Sequence, residues 1–231
     1  MDMDDYTRLK WPRTYHFKFS PGLVNDDRRL PDYAGFHDAD GRPLRAIVTI
    51  KVDGEGATMN RNETFPRSPD GRYHASRDLM KAYHATKRDL IPDGWRVSGE
   101  YAYARHSIAY TVENGNALPD WFMGFGIWNE RNVLLPWDET VEMFQLMDIE
   151  PVEVIHDGPF DEATIIRLAE SLDTTRQEGL VVRIADAIPY PSGRGDRGRF
   201  FREVAKWVRK GHVAAGSDHW QTGPVIPNML A

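Results

Sequence analysis

Six stretches of the chain alternate, or run apolar, over the length of a β-strand. They are "RAIVTIKV" (45–52), "WRVSGEYAYA" (95–104), "WFMGFGIW" (121–128), "EPVEVI" (150–155), "GLVVRIA" (179–185) and "REVAKWV" (202–208). β-Branched and aromatic residues dominate them and turn formers bound them, as a pleated, half-buried surface requires. Three other stretches repeat apolar residues at helical spacing. After Ser76, a suitable N-cap, "RDLMKAYHATKRDL" brings Leu79, Tyr83 and Leu90 to roughly one face. After Asp138, Val141, Phe144 and Gln145 lead to Leu146 in a second helix. After Asp161, Ile165, Ile166, Leu168, Ala169 and Leu172 form the apolar stripe of a third. Residues 199–209 fit both periods: Phe201, Val204 and Val208 suit a helix, whereas Val204, Lys206 and Val208 alternate as a strand.

The strands are numerous and irregularly interspersed, without the steady strand–helix alternation of a doubly wound sheet. This predicts an α+β fold of mainly antiparallel sheets flanked by helices. No repeat, low-complexity tract or Pro/Gly/Ser linker divides the chain, so residues 46–231 read as one domain. Residues 1–45 read as an N-terminal extension packed on it.

Composition narrows the function. With no cysteine among 231 residues, thiolate metal sites and cysteine nucleophiles are excluded. That suits a reducing cytoplasm, as does an acidic N-terminus without the apolar core of a secretory signal. No apolar run is long enough to span a bilayer. The formal net charge of -6 gives no global argument for nucleic-acid binding. Charge is uneven, however: Arg194, Arg197, Arg199, Arg202, Lys206, Arg209 and Lys210 face only Asp196 and Glu203 along one segment, which suits either a local phosphate-holding patch or a solvated basic flank.

"TIKVDGEG" (49–56) ends a strand with Lys51 and then turns. Taken alone, it reads as a lysine on a solvated face before an Asp-Gly hairpin turn. Three later stretches change that: "GFGIW" around Phe125, "EGLVVR" from Glu178 to Arg183, and "VAKWVRK" around Lys206. In this order the set resembles the covalent nucleotidyltransferase superfamily of polynucleotide ligases and mRNA capping enzymes. With "RSPDGRYHASRD", "GWRVSGEYAYARHSIAY" and "PWDETVEMF" it is similar, nearly throughout after residue 45, to the RNA ligase family related to phage T4 RNA ligase 2.

The resemblance implies an ATP-grasp-like nucleotidyltransferase domain with a nucleotide cleft between its sheets. Lys51 would attack the α-phosphate of ATP, expel pyrophosphate and hold AMP. Gly54 and Gly56 would let the backbone approach the nucleotide. Arg61 would contact phosphate, Glu100 a ribose hydroxyl and Phe125 the adenine face. Glu178, with Asp53 as a lesser candidate, would position Mg²⁺ or Mn²⁺. Lys206 would contact the α-phosphate and, with the metal, lower the pKa of Lys51. Where the family carries a second basic residue the chain has Val208, so Arg209 or Lys210 is expected to substitute. Arg67, Arg72, His74, Arg77, Arg105 and His106 would meet the RNA strand.

The reaction so implied joins RNA 5′-phosphate and 3′-hydroxyl ends, alone or with an accessory protein that presents the RNA. A DNA ligase or a capping enzyme fits less well, because residues after Lys206 leave no room for the OB-fold those enzymes usually carry. A non-catalytic nucleotide- or RNA-end-binding module is the remaining alternative, and it would have no need of a nucleophilic lysine.

Overall fold

The computed structural model describes residues 8–24, 27–67, 74–191, 198–211 and 224–231. Two sheets form an α+β fold. One has five strands in the order β1 (Tyr15–His16), β11 (Val204–Val208), β9 (Gly179–Ile184), β2 (Arg45–Lys51) and β8 (Val154–Pro159). The other has six, in the order β10 (Ile188–Pro189), β7 (Val133–Leu134), β6 (Phe122–Trp128), β5 (Arg96–Tyr101), β3 (Glu55–Met59) and β4 (Thr64–Pro66). Every ladder is antiparallel except β1 against β11.

The helices are α1 (Arg77–Lys87), α2 (Trp137–Leu146), α3 (Glu162–Ser171) and the single turn α4 (Phe200–Glu203). Asp161 caps α3 as expected, its carboxylate accepting from the Thr164 amide at 2.9 Å. Ser76 does not cap α1; its hydroxyl pairs with His74 Nδ1 at 2.6 Å instead. The buried face of α1 is Met80, His84 and Lys87, with Leu79 and Tyr83 at its margin and Leu90 exposed. Asp138 lies inside the first turn of α2, which begins at Trp137. The ambiguous segment 199–209 resolves into both readings in succession, α4 and then β11.

The Asp-Gly turn after Lys51 is not a hairpin. β2 and β3, which flank it, belong to different sheets, so the chain crosses there from one sheet to the other. A Cβ on Gly54 would lie 2.7 Å from the Tyr101 carbonyl oxygen, so only glycine lets the crossing pack against β5.

The described N-terminal residues are integral to the five-stranded sheet. Tyr15 and His16 pair with Ala205 and Lys206. Phe17, Leu30 and Phe36 are fully buried in one core cluster with Phe200, Leu180 and Val182. Burying each such side chain contributes about 1.5–3 kcal/mol. A second cluster fills the space between the six-stranded sheet, α1 and α2, and a third joins Ile47 and Val52 to Met123 and Trp137. Among the described residues no helix is long and apolar enough to cross a membrane.

Candidate active site

The two sheets enclose a cavity of about 270 Å³. The five-stranded sheet is its floor. Lys51, the last residue of β2, stands opposite Gly179 at the start of β9. Thr49 and Lys206 both stand opposite Val181, from either side of β9, so the three share one face. Glu178, just before β9, is buried, and Lys51 Nζ donates to its Oε2 at 2.5 Å. The Lys51 side chain is 23% exposed and that of Glu178 6%, so the pair is shielded but reachable from the cavity. Gly179 makes this approach possible. A Cβ there would lie 2.0 Å from the Trp207 carbonyl oxygen, and β9 could not close on β11.

The six-stranded sheet is the wall. It contributes Phe125 from β6, Glu100 from β5, Gly56 from β3 and Arg67 just beyond β4, while Gly54 enters from the crossing turn. Trp11, from the N-terminal segment, meets the Phe125 ring edge-on at 4.7 Å between centroids. Arg183 also lines the cavity; its guanidinium is buried and donates to the Leu135 carbonyl at 2.7 Å. Both sheets carry a register shift near the site, at Val48/Thr49 in the β2–β8 ladder and at Ser98/Gly99 in the β5–β6 ladder. Such shifts re-aim neighbouring side chains.

The electrostatics are dominated by carboxylates. Burial pulls Lys51 down, but Glu178, Glu100 and Asp53 outweigh it and hold its ammonium above the ordinary lysine range. The expected depression of Lys51 is thus overturned for the ligand-free protein, because Glu178 is an ion-pair partner at hydrogen-bond distance. Burial also pushes Glu100 up to about 7, opposed by Lys51 and reinforced by Glu178 and Asp53. Lys206 moves the other way: burial lowers it, Asp27 opposes that, and Lys51 and Arg67 add to it.

The cavity therefore brings together Lys51, Gly54, Glu100, Phe125, Glu178 and Lys206. Asp53 is not among its lining residues. Its Oδ2 accepts from the Ser107 amide, the Ser107 hydroxyl and the Ile108 amide at 2.7–2.8 Å, which makes it the pin of the crossing turn. Asp53 thus lies apart from the cavity that Glu178 and Glu100 share. Arg61 sits beyond the end of β3, exposed and 3.6 Å from Asp93, outside the cavity. Arg67 stands where an arginine can reach a bound phosphate.

Of the expected RNA contacts Arg67 alone lines this cavity, and the other described ones lie elsewhere. Arg77 is tied to Glu55 by Nε at 3.0 Å and by Nη2. Arg105 and Lys210 are exposed and His106 is half-buried. Arg209 Nη2 donates to the Ser107 hydroxyl at 3.0 Å, so neither it nor Lys210 supplies a second basic contact inside the cavity. Arg72 falls outside the described residues. Trp11 and Asp27, which approaches Lys206, were missed; the alternation of Tyr15, Phe17 and Phe19 with His16, Lys18 and Ser20 was the available signal that this segment joins a sheet.

Among the described residues no cluster of three acidic or histidine side chains suits a metal ion. Glu178 and Glu100 are two hard oxygen donors in one cavity. That fits Mg²⁺ or Mn²⁺, since such ions bind through one or two carboxylates together with substrate phosphates and water.

Comparison with known proteins adds the following. The RNA ligase family model matches residues 44–208, most of the chain. A comparison of the sequence with curated proteins returned no match. Among solved structures, form 1 of an archaeal ATP-dependent RNA ligase is similar at a TM-score of 0.56 and 16% identity, over 86% of this chain and 48% of that one. A Naegleria gruberi RNA ligase variant with ATP and Mn aligns at 0.52 and 16% identity, over 86% and 61%. An Aquifex aeolicus putative ATP-dependent DNA ligase aligns at 0.50 and 14% identity, over 88% and 50%. At these identities the likeness is one of fold, that of ligase nucleotidyltransferase domains, and the chain spans about half to three fifths of these relatives' length.

Proposed function

The chain belongs to the RNA ligase family, and from that membership we propose that it seals RNA in an ATP-dependent reaction through a lysine-bound AMP. One observation carries the proposal above others. Lys51 Nζ, at the crossing between the sheets, lies 2.5 Å from Glu178 Oε2 in a cavity that also holds Lys206, Arg67, Glu100 and Phe125. A cavity that only bound nucleotide would have no use for a nucleophile at its charged end.

In this reading adenine stacks on Phe125, across from Val181 on the floor, and Glu100 accepts from the ribose. Arg67 and Lys206 neutralise phosphate oxygens, where positioning and charge compensation supply most of the catalysis. Lys51 must lose a proton before its nitrogen can attack, and Glu178 Oε2 is the acceptor within reach. The amine then forms the N–P bond, and the bond to pyrophosphate breaks with its electrons on the leaving oxygen. Glu178 and Glu100 would hold Mg²⁺ or Mn²⁺, which would supply charge compensation for the triphosphate. In the second step an RNA 5′-phosphate displaces Lys51 and takes the AMP. In the third a 3′-hydroxyl attacks that phosphate and AMP leaves.

The test is incubation with ATP labelled on the α-phosphate and Mg²⁺ or Mn²⁺. An acid-labile protein adduct is expected from the parent and none from Lys51→Ala. An adduct that survives the substitution sinks the proposal. The fold is shared with a putative DNA ligase, so nicked duplexes with RNA or DNA at the 3′-hydroxyl side separate the two sealing activities.

A further inference from the structure

The N-terminal segment brings a carboxylate to the back of Lys206. Asp27 Oδ1 lies 3.5 Å from Lys206 Nζ, and Asp27 Oδ2 lies 3.0 Å from His16 Nε2. The Val24 amide also donates to Asp27 Oδ2 at 3.2 Å. His16 is fully buried, and its Nδ1 pairs with the Ser20 hydroxyl at 2.8 Å. The Ser20 hydroxyl in turn accepts from the Val208 amide at 3.0 Å. His16 also pairs with Lys206 in the β1–β11 ladder, and the Phe17 amide donates to the Lys206 carbonyl at 2.9 Å. His16 and the Val24 amide thus both meet Oδ2 of the carboxylate, and its other oxygen, Oδ1, approaches the lysine ammonium.

Resting on the nucleotide cleft proposed above, we infer that Asp27, held by His16, is a positioning residue that aims the Lys206 ammonium at the α-phosphate and keeps it charged there. The need is physical. Lys206 is 19% exposed and shares its cavity with Lys51 and Arg67, so burial and like charges both disfavour its ammonium. Glu178 is already engaged by Lys51. Asp27, which does not line the cavity, gives Lys206 a counter-charge from outside it and leaves the cavity side of the ammonium for phosphate oxygens. A bare lysine in the same place would neutralise, or swing toward the floor carboxylate and disturb the Lys51 pair. Asp27 touches neither substrate nor reacting atoms, and its effect is routed through one amine.

A double-mutant cycle on single-turnover adduct formation tests this, using Asp27→Asn, Lys206→Met and the pair. Removing one preorganised donor costs about 10²–10³-fold in rate, and an indirect effect through that donor should cost about 10-fold or more. Asp27→Asn is expected to slow adduct formation at saturating ATP by about that factor and to leave the half-saturating ATP concentration within about threefold. In the Lys206→Met background it should cost nothing further, and Asp27→Glu should restore part of the rate in the parent. An equal cost of Asp27→Asn in both backgrounds, or a rate within twofold of the parent, overturns the inference. If Asp27→Asn does not fold, as judged by circular dichroism, the same cycle with Asp27→Ser, which also removes the counter-charge, decides by the same criterion. A parent that forms no adduct at all counts against the nucleotidyltransferase reading, whereas an adduct with an independent Asp27 counts only against the positioning role.

Discussion

Floor and wall of the cleft are built from the same kind of strand but by different means. On the floor, the proposed nucleophile, the buried carboxylate and the late lysine come from β2, the start of β9 and β11, which are neighbours in one antiparallel sheet. Their relative placement follows from register: Lys51 opposite Gly179, Lys206 opposite Val181. On the wall, Phe125, Glu100 and Arg67 come from strands and a strand end that are offset by a register shift and a turn. The floor thus fixes distances between reacting groups with backbone hydrogen bonds. The wall offers a ring, a carboxylate and a guanidinium whose positions depend on side-chain packing. Under the proposed function, bond-making chemistry would lie on the surface set by ladder register and substrate recognition on the one set by side chains and turns.

The largest test of that contrast is a pair of glycine substitutions. Gly179→Ala on the floor puts a Cβ against backbone, 2.0 Å from the Trp207 oxygen, and is expected to cost about 3 kcal/mol or more and all adduct formation. Gly124→Ala on the wall meets the Phe144 ring at 2.5 Å, a side chain that can shift, and is expected to cost about 1–2 kcal/mol. Urea unfolding midpoints would show it, and equal losses would erase the distinction.

Next in size is the choice of arginine. Arg67→Ala should slow adduct formation about 10²-fold, as expected for one lost phosphate donor, while Arg61→Ala stays within about twofold. Smaller again, Phe125→Ala should raise the half-saturating ATP concentration about 10-fold, the value of one stacking contact, with little change in the saturated rate. A fall in the saturated rate instead would place Phe125 with the chemistry and not with recognition.

The smallest effect is on stability. Glu100 titrates near 7 in the folded chain against 4.5 as its ordinary value. The native state therefore binds more protons than the unfolded one between those pH values, and stability falls as pH rises through that window. Discounted for partial exposure, the difference is about 1–2 kcal/mol. Glu100→Gln should flatten the decline of melting temperature between pH 5 and pH 8. A decline that is unchanged would mean that Glu100 titrates normally.

The floor was the more legible surface in the sequence. β-Branched runs such as "AIVTI" and "GLVVRI" announce strands, and the resemblance of their ordered motifs to nucleotidyltransferases is what grouped Lys51, Glu178 and Lys206. Even there, "EPVEVI" predicted a strand that starts too early, because Pro151 makes only an isolated bridge and β8 begins at Val154. The wall was harder. Counting onward from Lys51 chose Arg61, but the turn at residues 60–63 throws that side chain outward, and the return strand β4 leads to Arg67. Asp53 kept its turn role, since three donors converge on one of its oxygens. The N-terminal contribution was missed, because Trp11 and Asp27 act from irregular backbone whose placement depends on β11, far away in sequence.

The pairing of β1 with β11 also sets a clock. It joins Tyr15 and His16 to Ala205 and Lys206 across most of the chain, through only two residues of ladder. Closing so long a loop costs entropy that local contacts do not repay, so such a pairing belongs late in folding. During refolding the sheets can form and bury most of their cores while the end of the cleft that holds Lys206 is still open. Regain of nucleotide transfer then trails regain of secondary structure, and the delay measures how long a protein with its strands in place waits for its first and last strands to meet.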